Sequence, residues 1–372
     1  MPESTAVQND PFGTFDLNNA HDLRRLRHAL PSPVGLIERP GGLPIAFEVT
    51  TIGDIRVDVR SHLHDRRFFG MATDQQTRAP VTVDVGGTAI GFARAARPHF
   101  SAVHVLGALG DDRWTDFIRD RCAEARIDAQ ISQVEGPNSL VIVLRDQPTT
   151  ENPQGVRLIV SDARTPYGQL DAGHIAAHRS FIERADALVV DGYALMTDTT
   201  AEALDTAIQI AVDAGVPVCF DIVPHRIDRF VSFEQIRPLL HSSSLITTEA
   251  HTLLRLLGKP VPELVTPEFV VDLIGSLPDD IAGWQRTWLV RYGEGNMDET
   301  TAVSPMHHVV SYHTGYAAAA NVAGYGYHVA AAELKWWLTN YARAAAVYPD
   351  LAARSERVAA SRFGPPASEG TM

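Results

Sequence analysis

Cysteine is scarce in this sequence. The two thiols, Cys122 and Cys219, each sit in an apolar or helical run, with no CxxC pair and no histidine at metal-ligand spacing. That pattern excludes a cysteine-based metal motif and predicts two free, buried thiols. Long apolar runs are also missing: none approaches the ~20 residues that span a bilayer. No internal repeat is visible. The opening stretch MPESTAVQNDPFG carries neither a basic n-region nor an apolar h-region, so a cytoplasmic, reducing setting is expected. Positive charge is in deficit, with 32 Lys and Arg against 45 Asp and Glu and a formal net charge of −13. A general binder of nucleic acid or of membrane surfaces draws its affinity from clustered Lys and Arg, and this balance argues against both. A small anionic ligand is not excluded, because it needs only a local site.

What the chain does have is apolar residues in quantity and a regular alternation of patterns. Hydrophobic residues make up 45% of the 372, enough for one large α/β domain or two smaller ones. The stretch IAFEVTTIGDIRVDV (45–59) has strand-like residues, and SAVHVLGALG (101–110) is an apolar run ending in glycine. ADALVVDGYAL (185–195), VPVCFDIV (216–223), SSLITT (243–248) and RTWLVRYG (286–293) read as buried parallel strands. Between them, DDRWTDFIRDRCAEARI (111–127) places Trp114, Phe117, Ile118, Cys122 and Ala125 at helical spacing. In TTAEALDTAIQIAVDAG (199–215), Thr199 and Glu202 fit a capping box and Gly215 a C-terminal stop. The alternation predicts a doubly wound, mostly parallel sheet with helices on both faces, over residues 46–353. Two hairpin-like segments, within about 60–85 and 138–163, are expected to form a small β lid. Residues 1–45 read as an N-terminal extension with a short helix at AHDLRRLRHAL (20–30), and 354–372 as a disordered tail.

Four short stretches fall where an open α/β sheet gathers its ligands, at the carboxyl ends of strands. GDIRVDV (53–59) offers Asp58, a carboxylate able to accept hydrogen bonds from ligand hydroxyls. VDVGGTAIGFARAA (83–96) has Gly86 and Gly87, which allow a tight turn with close backbone approach before a helix. LVRYGEGN (289–296) closes a strand with Gly293 and Gly295, in a turn able to lie against a nucleotide. NVAGYGYHVAAAELKWW (321–337) sets Gly324 and Gly326 before an alanine-rich helix. Its backbone N–H groups and helix dipole suit the charge that builds on a transferring phosphoryl group. Taken singly, each stretch also fits an ordinary turn or strand end. The histidines add no metal site: His307 and His308 are adjacent and point to opposite faces of a run continuing to His313, and His62 and His64 share a face without a third ligand.

In order and spacing these stretches resemble the ribokinase-like, or PfkB, family of carbohydrate kinases, over about residues 47–345. The series runs from Gly53 and Asp58 through Gly86-Gly87 to GALGDDRW (107–114), the most faithful match. It continues through ADALVVDGYAL, the strand ending in Asp221, the RYGEG turn, and NVAGYGY (321–327) in the place of the signature D-T-x-G-A-G-D. The resemblance implies an α/β sandwich with a β lid. It also implies transfer of the ATP γ-phosphoryl group to a hydroxyl of a sugar, nucleoside or cyclitol-like polyol, with Mg²⁺ bridging the phosphates. By position, Asp58, Gly86 and Gly87 would face the acceptor, Gly324, Gly326 and Tyr327 would form the anion hole and base position, and Arg291, Gly293, Gly295 and Asn321 would lie near the nucleotide. A homodimer through the lid strands is implied as well.

The chain departs from the family pattern at several of these positions. Tyr327 stands where the family's general base, an Asp, is expected, and a phenol with an ordinary pKa near ~10 is a poor base at neutral pH. Asn321 replaces the first Asp of the signature, Tyr325 the small residue between its glycines, Gly91 an acceptor-binding Asn, and Arg291 the Thr of the T-x-G-x-x-G turn. LITTEAHTLL (245–254) lacks the Asn of the expected N-x-x-E, with Glu249 the nearest acid. Asp84, Asp221, Glu249 and His328 are candidates for a replacement base, and Arg291 for a phosphate partner. Three functions stay open: a divergent kinase, a catalytically inactive protein that binds a ligand or partner, and a different reaction with Tyr327 or His328 in a new role. General-base help contributes typically ~10²–10⁴-fold, so positioning and electrostatics can sustain slow phosphoryl transfer without it.

Overall fold

The computed structural model describes residues 47–347 apart from 64–66, 70, 72–73, 75, 148, 151–154, 163–164, 224–225, 279, 282–285, 305–307 and 315–323, and apart from the side chains of 294, 304, 308 and 340–347. The extension at 1–45, the tail at 354–372, and Asn321, His64 and His307 therefore lie outside the described residues.

The strands, in chain order, are β1 (Glu48–Ile52), β2 (Arg56–His62), β3 (Val81–Gly86), β4 (Ala102–Leu109), β5 (Asp128–Gln133), β6 (Leu140–Arg145), β7 (Arg157–Ser161), β8 (Ala187–Asp191), β9 (Val218–Ile222), β10 (Ser243–Glu249), β11 (Thr287–Tyr292), β12 (Glu299–Ser304) and β13 (His308–His313). The α-helices are α1 (Thr88–Ala96), α2 (Trp114–Glu124), α3 (Ala172–Ala177), α4 (Arg179–Glu183), α5 (Asp198–Asp213), α6 (Phe233–Ser242), α7 (Ala250–Leu256), α8 (Pro267–Gly275) and α9 (Tyr325–Val347). The main sheet has the order β13-β12-β11-β10-β9-β8-β1-β4-β5. It is parallel from β5 to β11, and β12 and β13 add an antiparallel edge.

The continuous apolar runs follow from burial on both faces. Side chains alternate along a strand, so neighbours in sequence join different cores. Val218 and Phe220 of β9 and Trp288 and Val290 of β11 pack with Ala203, Leu204, Ile236, Leu253 and Val270, from α5, α6, α7 and α8. Cys219, Leu245 and Leu289 face the other way, toward Ile90, Ile118, Leu334 and Trp337 of α1, α2 and α9. Trp337 also donates from Nε1 to Thr287 Oγ1 at 3.0 Å, which ties α9 to β11. Both cysteines are buried and free. Burial pushes the Cys122 thiol up to about 11 and the Cys219 thiol higher still. No helix among the described residues is long and apolar enough to cross a membrane.

The strand-like residues of 45–59 fall in two strands: β1 ends at Ile52, and β2 begins at Arg56 in a different sheet. One local expectation is corrected. The helix after β8 begins two residues earlier than the Thr199–Glu202 pattern suggests. Its cap is Thr197, whose side chain accepts from the Thr200 N–H at 3.3 Å, while Gly215, at φ +69°, does close the helix as expected.

The second sheet, of order β3-β2-β6-β7, spans 56–86 and 140–161 and is the small lid. It is antiparallel except for the parallel β2–β6 pair. Cross-strand register places Val83, Val59, Ile142 and Val160 in one row and Val81, Ser61, Leu144 and Leu158 in the next. Val81, Val83, Leu158 and Val160 are exposed, so the outer lid face is an uncovered apolar surface.

Candidate active site

The site begins where the chain leaves the main sheet. A Cβ on Gly53 would lie 2.6 Å from Thr88 Oγ1 and 2.8 Å from Asp191 Oδ2, so only glycine lets the backbone pass. The Thr88 hydroxyl accepts from the Asp54 N–H at 3.0 Å and donates to Asp191 Oδ2. Gly87, at φ +93°, adopts a left-handed conformation, and a Cβ there would sit 2.1 Å from the Asp54 carbonyl oxygen. A Cβ on Gly86 would sit 2.3 Å from Asp58 Oδ2. Asp58, Gly86 and Gly87 are thereby brought together, as the sequence suggested. Asp58 is on the lid strand β2, not on the main sheet, and is buried between Arg56 at 3.3 Å and Arg60 at 2.5 Å. Arg56 also reaches Asp54 Oδ2 at 3.2 Å, whose other oxygen is buried without a hydrogen-bond partner among the described residues. Burial raises the Asp54 carboxyl, against the pull of Arg56.

The opposite wall comes from the carboxyl ends of β9, β10 and β11. Asp221 and Glu249 both line the cleft. Burial raises each, Asp221 against the nearby Arg291 and Thr247, and Glu249 to about 7. Arg291, expected as a phosphate partner, lines the cleft and is already engaged by a carboxylate. Its guanidinium is buried against Glu333 of α9, with Nη2 2.5 Å from Oε2. The other Glu333 oxygen accepts from Thr300 Oγ1 at 3.1 Å and from Tyr312 Oη at 2.9 Å. The charges of Glu333 and Asp221 overcome desolvation and hold Arg291 well above the ordinary arginine value. Gly293 (φ +80°) and Gly295 (φ +60°) turn the chain from β11 into β12, and of these two only Gly295 lines the cleft.

Helix α9 starts at the signature stretch. Gly324 has φ +78° and precedes Tyr325, whose hydroxyl donates to the Thr314 carbonyl at 2.7 Å. The Tyr327 N–H donates to the Gly324 carbonyl at 2.9 Å, which takes one amide away from the helix start. The Tyr327 ring turns into the cleft and lies on Gly91, where a Cβ would be 2.3 Å from Cε2. Two departures from the family pattern are therefore one packing event: the ring fills the space that a side chain at position 91 would need. Burial pushes the phenol well above its ordinary value, so Tyr327 is not a base. Of the replacement candidates, Asp84 is tied to Arg94 at 2.8 Å and lowered by that contact against its partial burial. His328 is exposed at the cleft rim.

The cleft enclosed by these walls measures about 1840 Å³ and runs from the lid to Gly324–His328. Among the described residues no group of three or more His, Cys, Asp or Glu is placed to hold a metal ion alone. Mg²⁺ typically takes one or two carboxylates and leaves its other positions to phosphates and water. Asp221 and Glu249, two half-buried carboxylates of which the first raises the second, fit that requirement.

A doubly wound sheet with a crevice at its carboxyl edge, capped by a β lid and facing a glycine-led helix start, defines an α/β protein that takes its ligand at the strand ends. The chain belongs to the pfkB family of carbohydrate kinases, with residues 47–277 matching the pfkB family carbohydrate kinase pattern. That span ends before the NVAGYGY stretch. No curated protein matches the sequence. Among solved structures, a ribokinase from Giardia lamblia is similar at TM-score 0.55 and 18% identity, over 71% of this chain and 74% of that one. Adenosine kinase from Sinorhizobium meliloti is similar at TM-score 0.57 and 14% identity, over 79% and 88%. A candidate ribokinase II from E. coli in complex with ATP and Mg²⁺ is similar at TM-score 0.53 and 15% identity, over 72% and 78%. At these identities the likeness concerns the fold.

Sequence reasoning missed Asp54, Arg56, Thr88, Asp191 and Glu333. Thr88 follows the glycine pair directly and was legible as a hydroxyl beside the turn. Glu333 lay unmarked inside an alanine-rich helix, 42 residues from its partner.

Two predictions follow from the buried charges. Glu333→Ala leaves Arg291 unpaired in the interior and should cost about 3–5 kcal/mol in urea unfolding, whereas Arg291→Met with Glu333→Leu should cost far less. Burial raises the Asp191 carboxyl to about 7, with Thr88 pulling it down. The folded state then binds more protons than the unfolded state from about pH 4 to pH 7, so this group makes stability fall as pH rises through that window. Asp191→Asn should remove a decline on the order of a few kcal/mol, read from unfolding curves at each pH.

Proposed function

We propose that this chain is a divergent kinase that transfers the ATP γ-phosphoryl group to a hydroxyl of a sugar, nucleoside or cyclitol-like polyol, slowly, because its base position holds a phenol. The observation that carries the reading is the convergence of Asp58, Gly86 and Gly87 on one cleft with the Gly324–Tyr327 helix start. ATP with Mg²⁺ supplies the phosphoryl group and the metal charge that offsets its developing negative charge. Asp58, fixed between Arg56 and Arg60, accepts hydrogen bonds from acceptor hydroxyls. Asp221 and Glu249 would hold the metal, and Gly295 would border the nucleotide. The start of α9 stabilises the transferring group through its remaining amides and dipole. With Tyr327 protonated, the acceptor proton passes to water or to an oxygen of the transferred phosphoryl group as the new P–O bond forms, and the rate loses the ~10²–10⁴-fold that a base contributes.

One observation favours a second reading, a protein that binds ligand without catalysis: Tyr327 seals the base position against Gly91. Calorimetry with ATP–Mg²⁺, with and without pentoses, hexoses, nucleosides and cyclitols, separates the two. The kinase reading expects nucleotide binding, consumption with one acceptor, and a rise in turnover of about 10²-fold or more in Tyr327→Asp. Absence of nucleotide binding at every concentration would falsify it. Binding with no turnover in either protein supports the second reading.

We also propose a homodimer through the outer lid face, where Val81, Val83, Leu158 and Val160 are exposed. Light scattering should give a dimer for the native chain and a monomer for Val83→Asp with Leu158→Asp. A monomeric native chain overturns the proposal.

A further inference from the structure

The end of the cleft near Asp58 holds polar atoms that the fold leaves unpaired. Asp54 Oδ1, Ser139 Oγ and Tyr167 Oη are buried without a hydrogen-bond partner among the described residues. The residues are 6%, 1% and 4% exposed, and all three line the cleft. Leaving a buried polar atom unpaired costs free energy, and native folds rarely do so without a reason. Hydrogen bonds for these atoms must come from what enters the cleft.

Separate elements bring the three together. Asp54 lies where the chain leaves β1 for the lid, with its N–H donating to Thr88 Oγ1 at 3.0 Å. Ser139 immediately precedes lid strand β6, and its carbonyl accepts from the N–H of Val57, the neighbour of Asp58, at 2.9 Å. Tyr167 belongs to the short turn Pro166–Gln169, which α5 holds in place: Thr200 Oγ1 donates to the Tyr167 carbonyl at 2.8 Å. None of the three is among the positions that carried the family resemblance, so a preference they impose belongs to this chain.

Charge decides which donor fits them. Serine and tyrosine hydroxyls donate or accept, whereas an ionised carboxylate only accepts. Arg56 meets the other oxygen of Asp54, Oδ2, at 3.2 Å, and it is shared with Asp58 at 3.3 Å. Burial raises the Tyr167 phenol well above its ordinary value, and the charges of Asp191 and Asp54 raise it further. The field at this phenol is therefore that of two carboxylates. A hydroxyl of an entering polyol offers one neutral donor. A primary ammonium offers three donors and the opposite charge, and charge-assisted hydrogen bonds are the stronger kind. Resting on the kinase reading above, we infer that the acceptor is an amino polyol, an amino sugar or aminocyclitol, whose ammonium is held by Asp54 Oδ1, Ser139 Oγ and Tyr167 Oη while a hydroxyl turns to Asp58.

Calorimetry on the nucleotide-free chain, at neutral pH and low salt, tests this with matched probes. The pairs are glucosamine against glucose, galactosamine against galactose, and scyllo-inosamine against scyllo-inositol, with N-acetylglucosamine as an uncharged control for the substitution. At least one amine should bind about tenfold or more tighter than its neutral partner. D54N keeps the shape and removes the charge, and should abolish that preference. Y167F and S139A should each lower it severalfold. Both delete an atom that makes no hydrogen bond in the fold, so neither should lower the urea midpoint of the ligand-free chain, and they keep the test valid if D54N melts early. Equal affinity within every pair, N-acetylglucosamine binding as tightly as glucosamine, or a preference that survives D54N and Y167F overturns the inference and leaves the kinase reading standing. A fall in the urea midpoint of both Y167F and S139A also overturns it, because the atoms then have partners within the fold. Failure of the kinase reading is seen separately, as absence of ATP–Mg²⁺ binding.

Discussion

The Thr88 hydroxyl links three parts of the chain that the rest of the site depends on. It accepts from the Asp54 N–H as the chain leaves β1, it begins α1, and it donates to Asp191 at the end of β8. This contact needs Gly53 and Gly87, since a Cβ at either position would collide with its neighbours. The consequence is directional. The chain must leave the main sheet after Ile52, so β2 carries Asp58 into the lid and over the cleft. Without that break, Asp58 would lie along the main sheet and not over the cleft.

The departures from the family pattern are coherent as packing. Tyr327 and Gly91 exchange volume: a ring is added on α9 where a side chain is missing on α1. Arg291 and Glu333 exchange charge: a cation at the end of β11 meets an anion on α9, with Thr300 and Tyr312 meeting the rest of the carboxylate. Buried pairs of this kind are weak sources of net stability but strong determinants of register, because a single unpaired member is costly. Here the pair ties α9 to the end of β11, six residues after Tyr327. The helix start has kept its left-handed glycine and given up one amide, to the Gly324 carbonyl.

The carboxylates around the cleft respond to burial in different ways. Asp58 is bracketed by two arginines, Asp84 is held by Arg94, and Asp191 and Glu249 are raised to about 7. A group near neutrality changes charge with little cost, which suits a ligand-responsive wall better than a structural one. The lid supplies the opposing sign through Arg60, Arg145 and Arg157.

Order along the chain was legible without coordinates. Apolar runs bounded by glycine marked the parallel strands because double-sided burial favours apolar positions, and the glycine pairs marked the close approaches because a Cβ there would collide with its neighbours. The family resemblance rested on those same positions, and the fold bore it out. Partnership across the chain was not legible. Nothing local to Arg291 distinguishes a phosphate ligand from one half of a buried ion pair, and Glu333, 42 residues on, shows its role only where α9 crosses β11. Nor does the spacing of Gly91 and Tyr327 indicate that one fills the other's space. A basic row on the lid exists only through register, since His62, Arg145 and Arg157 come from three separate strands. The sequence by itself determined which segments are strands, turns and helix starts, since those follow from local sterics and burial period. Tertiary structure alone decided which charges meet, because Coulomb contacts depend on distances that the chain sets only after it has folded back on itself.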